Sequence, residues 1–221
     1  MNTMIRMLIA LPLLGITLAS PAAEILFEGQ RLRVIGTLDG SGLPRFSEQL
    51  ASGRAHTVVF EDSRGGSAEV AEDYARAIHA AGVNTEVRGQ CAAACVYAFL
   101  AGREHRFGRG PQVNSLLIPL GTRPQSDDLT GLQSYAEAQK VGIETEGMAN
   151  GEAPGAMPQR VPAAVRQAWR PEQGVLFTSK PTLFGRIYTS YYCDGTQGRD
   201  TSRCETLNGI DPFQLGLLTG Q

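Results

Sequence analysis

Residues 56–102 read HTVVFEDSRGGSAEVAEDYARAIHAAGVNTEVRGQCAAACVYAFLAG. A β-branched run, His56 to Glu61, reads as a strand ending at Asp62-Ser63-Arg64-Gly65-Gly66, where a helical pattern starts at once. From Gly66 to Ala81, Ala71, Tyr74, Ala75 and Ile78 fall on one helical face, with Glu69, Glu72, Asp73 and Arg76 opposite. Gly82 stops that helix, and Val83 to Arg88 forms the next strand. Cys91 to Ala101 is then a helix apolar on every side, which places it in the middle of a fold. Strands alternating with helices predict an α/β fold with a parallel sheet and right-handed crossovers.

Outward from this stretch, Arg31 to Leu38 and Val113 to Leu120 are further strands, and Pro44 to Ala51 is a short helix. Beyond Leu120 the pattern loosens. Asp127 to Val141 is a helix candidate, and Gly151 to Pro162 is rich in Pro and Gly. Val175 to Ser179 and Arg186 to Tyr192 suit a β-hairpin around Pro181 and Gly185. The organisation expected is an α/β domain over 23–145, a linker or loop over 146–165, and a small C-terminal extension over 166–221. No internal repeat is present.

Of the 221 residues, 42% are hydrophobic and 19% charged, which excludes disorder along the whole chain. Lys and Arg number 20 against 22 Asp and Glu, so no basic excess exists to neutralise a phosphate backbone, and nucleic-acid binding is not expected. Arg6 precedes an apolar run from Met7 to Leu18, followed by Ala19-Ser20-Pro21-Ala22 with small residues where a signal peptidase reads. Residues 1–22 therefore read as a cleavable signal peptide, sending the protein to the periplasm or outside the cell. The apolar run is short of the roughly 20 residues a span needs, an uncut N-terminal anchor being the alternative.

Export favours disulfides among the four cysteines. Three connectivities exist, of which Cys91 with Cys95 and Cys193 with Cys204 is the simplest. The second bridge would close a polar loop, Asp194 to Arg203, that has no large apolar side chain to hold it. A four-cysteine zinc site has the wrong spacings, and no metal or cofactor is expected. A redox role for Cys91 or Cys95 is set against a CxxxC spacing rather than CxxC.

Two glycines at a strand-to-helix turn leave backbone N–H groups aimed at a helix N-terminus, a natural oxyanion site at Gly65 and Gly66. The plainer reading is a tight turn that needs positive φ. About 25 residues on, Gly89-Gln90-Cys91-Ala92-Ala93-Ala94-Cys95 opens the apolar helix, which ends at Ala101-Gly102. The two motifs together resemble the ClpP/crotonase superfamily, which includes the Clp protease proteolytic subunit, signal peptide peptidase A and exported bacterial relatives. The resemblance covers Arg31 to Leu120 and implies that Ser63-Arg64-Gly65-Gly66 matches the family's S-x-G-G oxyanion turn. It also implies that C-A-A-A-C stands where exported relatives often read C-x-S-A-C.

The departures decide the functional expectation. Ala93 occupies the family's nucleophile position, and a methyl group cannot attack a carbonyl. Pro119 or a neighbour stands where the resemblance implies the general-base histidine. His56, His79 and His105 all lie elsewhere, each reading as a solvated surface residue. Ser67 and Ser115 are the displaced nucleophiles to weigh, though neither has a histidine or lysine partner evident in sequence. The chain's two lysines, Lys140 and Lys180, fall outside the motif region. Tyr188, Tyr191 and Tyr192 with Phe177 and Phe184 read as packing rather than a partner surface.

The expectation is an exported ClpP-like protein without serine-protease activity, binding a peptide, an acyl-like group or a protein partner. Its pocket would lie between the Gly65-Gly66 turn and the Cys91 helix. The alternatives are a hydrolase with a displaced serine, and thioester chemistry that export disfavours. The resemblance also admits a homo-oligomer.

Overall fold

The computed structural model describes residues 23–120, 172–182, 185–197 and 200–220. The expected signal peptide, the helix expected over Asp127 to Val141, the linker over 146–165 and Phe184 lie outside the described residues. The strands are β1 (Glu24–Glu28), β2 (Arg31–Ile35), β3 (Thr57–Ser63), β4 (Asn84–Ala92), β5 (His105–Phe107), β6 (Asn114–Pro119), β7 (Gln173–Thr182), β8 (Gly185–Asp194) and β9 (Glu205–Leu207). The helices are α1 (Leu43–Ala51), α2 (Ala68–Ala81) and α3 (Ala94–Leu100).

The nine described strands form one sheet, in the order β1-β2-β3-β4-β6-β7-β8-β9, with β5 beside β4. The sheet is mixed rather than purely parallel. Its centre, β2 to β6, is parallel as the alternating pattern requires, whereas β1 and β7 to β9 run antiparallel. Only two residues join β1 to β2, with Gly29 at φ 62°, and so short a link makes only an antiparallel pair. The hairpin expected from sequence is present as β7 and β8, which pair over ten positions, including Val175 with Tyr192 and Ser179 with Tyr188. It continues the main sheet. Val175 and Phe177 join the same core as Leu215, Leu217 and Leu218 near the C-terminus.

The core lies on the helical side of the sheet. Val58 and Phe60, Val87, Leu116 and Ile118, and Val175 and Phe177 supply its floor, with Tyr74, Ile78 and the wholly buried α3 above. Ser67 caps α2, its hydroxyl accepting from Val70 N at 3.2 Å, and Gly82 ends it in the left-handed conformation. Glu72, expected on the polar face, is buried. On the opposite side of the sheet, buried Glu86 lies among three arginines. It pairs with Arg31, with Arg88 at 3.2 Å and with Arg106 at 3.5 Å.

Tyr74 stacks at a tilt on Phe46, centroids 4.7 Å apart, and its fully buried hydroxyl has no hydrogen-bond partner among the described residues. Burial, helped by the Asp39 carboxylate, pushes its pKa up from 10.0 to about 12. Because the folded state keeps this proton longer, the stability it confers is complete below pH 10.0 and declines as pH rises towards about 12. The slope reaches about 1.4 kcal/mol per pH unit. Tyr74→Phe is expected to remove this alkaline loss and to leave stability at neutral pH unchanged or slightly higher, since no hydrogen bond is given up. Urea midpoints of both proteins at pH 7 and pH 11 check it. An equal alkaline loss in the variant would assign the effect to another group.

Candidate functional site

Strand β4 does not stop where the apolar helix was expected to begin. Cys91 and Ala92 still pair with Leu116 and Leu117 of β6, and the chain then turns sharply into α3 through Ala93. Ala93 has φ 51° and ψ −111°. Among the described residues two non-glycines have positive φ, Asp62 at 47° and Ala93. Asp tolerates such a φ, but the ψ of Ala93 lies outside the left-handed helical well, in a region that costs an L-residue about 1–3 kcal/mol. The surroundings hold it there. Ala93 N–H donates to Leu117 O at 3.1 Å, Tyr97 N–H donates to Ala93 O at 3.2 Å, and the residue is 1% exposed. A strained strand-to-helix turn of this kind is what presents the nucleophile in serine hydrolases. Here the residue at the turn is an alanine.

The cysteines pair locally across and beyond this turn. Cys91 and Cys95 straddle Ala93 with Cα atoms 5.3 Å apart, and Cys193 and Cys204 lie 4.7 Å apart. The first bridge joins a strand end to a helix rather than lying within one helix. The second closes a loop organised by polar turns. Asp194 Oδ1 accepts from Thr196 N–H and its hydroxyl, which holds that carboxyl below its usual pKa. At the far end of α3, Thr85 donates to Phe99 O at 2.6 Å, and a Cβ on Gly102 would meet that hydroxyl oxygen at 2.3 Å. This accounts for the Ala101-Gly102 ending.

The Gly65-Gly66 turn packs on Leu38. Leu38 N–H donates to Gly65 O at 3.1 Å, and Leu38 and Gly66 form a parallel bridge. The φ values of the two glycines, 137° and 134°, are ones that L side chains rarely adopt and that strain any of them.

A cavity of about 440 Å³ opens beside the elbow, on the side of the sheet away from the core. Gln90 and Ala92 from β4, Ser115 and Leu117 from β6, and Leu176, Thr178 and Lys180 from β7 lie along its floor. Arg64, Glu172, Tyr191 and both cysteines of the second disulfide are among the residues around it. Arg64 and Cys91 tie the cavity to the two sequence motifs, but Gly65, Gly66, Ala93, Pro119 and Ser67 do not line it. Ser67 is the helix cap described above. Ser115, by contrast, lines the same cavity as Lys180, which lies 65 positions on and far outside the motif region.

None of the three histidines lines the cavity. His105 is buried, not solvated as expected. Its Nδ1 lies 2.9 Å from Leu217 O, its ring meets Phe99 edge-on at 5.4 Å, and its backbone N–H donates to the Thr219 hydroxyl. It anchors the C-terminal segment to β5. His56 is exposed and His79 half-buried.

No protein-family model and no curated protein sequence matches the chain. Among solved structures it is similar to ClpP1 from Listeria monocytogenes, at 17% identity and a TM-score of 0.36, over 53% of this chain and 75% of that one. It is also similar to a mutant of the membrane-bound stomatin-specific protease 1510-N, at 16% identity and a TM-score of 0.35. That alignment covers 53% of this chain and 63% of the protease, so the chain spans less than two thirds of it. An enoyl-CoA hydratase from Mycobacterium avium subsp. paratuberculosis K-10 aligns at 16% identity and a TM-score of 0.35, over 68% of this chain and 66% of that one. These scores are too low to transfer an activity. The two disulfides fit an oxidising compartment. No helix among the described residues is long and apolar enough to cross a membrane.

Proposed function

We propose that this chain is an exported, non-catalytic binding protein on a ClpP/crotonase-like scaffold, which takes its ligand in the cavity beside the elbow. The observation that carries this reading is Ala93. The strained non-glycine turn carries a buried methyl group where the resemblance implies the reacting oxygen. Pro119, standing where the resemblance implies the base, is a buried strand residue paired with Gly174 and offers no proton acceptor. Gly65 and Gly66 remain as the oxyanion-type turn of the resemblance, serving here to close the scaffold against Leu38. Residues 1–22 act as the cleaved leader, and the two bridges then form in the oxidising compartment. The ligand is a peptide, an acyl-like group or a segment of a protein partner.

A second reading is a hydrolase with Ser115 as a displaced nucleophile, because Ser115 and Lys180 line the same cavity. Intact-mass measurement of the exported protein, with and without a fluorophosphonate probe, separates the two. The expected result is a mass lacking residues 1–22 and four thiol hydrogens, with no adduct. A stoichiometric adduct would overturn the binding reading, and an adduct lost in Ser115→Ala would establish the second.

A further inference from the structure

The cavity floor changes character along the strands. Ser115 and Thr178 face each other across β6 and β7, as do Leu117 and Leu176 one step further along the same face. Lys180 lies beyond Thr178 on β7, and Val113, which is 50% exposed, lines the same cavity. Along β6 and β7 the order is therefore a cation, a pair of hydroxyls, then apolar side chains leading to the second disulfide. Lys180 to Leu176 spans roughly 13 Å at the usual strand rise. The charged lining residues are Arg64, Lys180 and Glu172. Glu172 precedes β7 and so lies at the opposite end of that strand from Lys180. Arg64 follows Ser63, which is in register with Cys91, and so stands at the same end as Glu172, where the two opposite charges offset one another. The net positive end is that of Lys180, and a ligand with one negative end is favoured with its head there. A volume of about 440 Å³ is within the range of small-molecule sites.

We propose that this cavity binds a carboxylate at the end of an apolar chain, with the carboxylate at Lys180, Ser115 and Thr178 and the chain over Leu117, Leu176 and Ala92. The inference rests on the binding reading above and names its ligand class. The same chemistry comes from a free aliphatic acid or from the C-terminus of an apolar peptide.

Calorimetric titration with decanoate, decanol and acetyl-Leu-Leu bearing a free carboxylate tests it. Decanoate or the dipeptide is expected to bind at least about tenfold more tightly than decanol, the equivalent of one charge-assisted contact. Lys180→Met, an exposed change that keeps the apolar stem, is expected to erase that preference. Tighter binding of decanoate than of the dipeptide supports the free acid as source, and the reverse supports a peptide terminus. Equal binding of decanoate and decanol overturns the carboxylate assignment while leaving the cavity a binding site. A carboxylate preference unchanged in Lys180→Met overturns the placement of the head group. No binding of any probe overturns this inference, while the fluorophosphonate result judges the binding reading separately.

Discussion

Gly66→Ala is expected to leave little folded protein. A Cβ at that position would lie 2.0 Å from the carbonyl oxygen of Leu38 and 2.9 Å from its carbonyl carbon, both backbone atoms in the bridge that holds the turn. No side-chain rotation relieves such a contact, and φ of 134° adds about 1–3 kcal/mol of strain. Separating Leu38 from the turn also opens the core, where Leu38 is fully buried. Together these losses approach the whole stability of an ordinary domain, about 5–15 kcal/mol. Gly65→Ala is the control. Its φ is almost the same, 137°, but nothing lies within 4 Å of the added Cβ. It should cost only the backbone strain and stay folded. Soluble yield and thermal unfolding of the two variants check the contrast. Equal stabilities would show that the turn is not pinned to Leu38.

The contrast bears on how the site is probed. A bulky residue at Gly66 looks, from sequence, like the natural way to abolish an oxyanion site. In this structure its effect would be read first as unfolding, so loss of binding would carry no information about the ligand. Lys180 is the better handle, because it is exposed at the end of the cavity.

Much of the fold was legible because its central elements are local and strongly patterned. The α2 stripe of Ala71, Tyr74, Ala75 and Ile78 is the buried face, and Gly82 is its left-handed stop. The elbow was legible only in part. An unbroken apolar run from Cys91 carries no period that separates a strand end from a helix start, so the pattern assigns Cys91 and Ala92, the last residues of β4, to the helix. His105 misled for a related reason. Its neighbours Glu104 and Arg106 are charged, but on a strand alternate side chains point to opposite faces, and His105 and Phe107 both face inward. The cavity was hidden by distance along the chain. β6 and β7 are sequence-remote, and only their pairing brings Lys180 to Ser115. The alternation of Leu176, Thr178 and Lys180 did mark one face of a strand. It could not say which strand lay beside it.

The bridge across the elbow should prove worth more than its loop length suggests. Closing so short a loop restricts the unfolded chain by about 2 kcal/mol on the chain-entropy estimate. The residue at its centre, however, is the one whose native backbone is costly. Holding Cys91 to Cys95 narrows what Ala93 can adopt before folding, so part of the strain is already present in the oxidised unfolded state and adds little to the free-energy difference. Without the bridge, the unfolded chain relaxes Ala93 fully, and folding must impose φ 51° and ψ −111° anew. Replacing both cysteines by alanine is therefore expected to cost about 3–4 kcal/mol, including the packing lost where the buried sulfurs stood. Glycine tolerates that backbone, so Ala93→Gly should recover about 1 kcal/mol in the variant lacking the bridge and little in the wild type. Urea unfolding of the four proteins in this double-mutant cycle measures the coupling. An Ala93→Gly effect identical in both backgrounds would mean that the bridge and the elbow are neighbours without acting on one another, and α3 packing alone would then have to hold the turn.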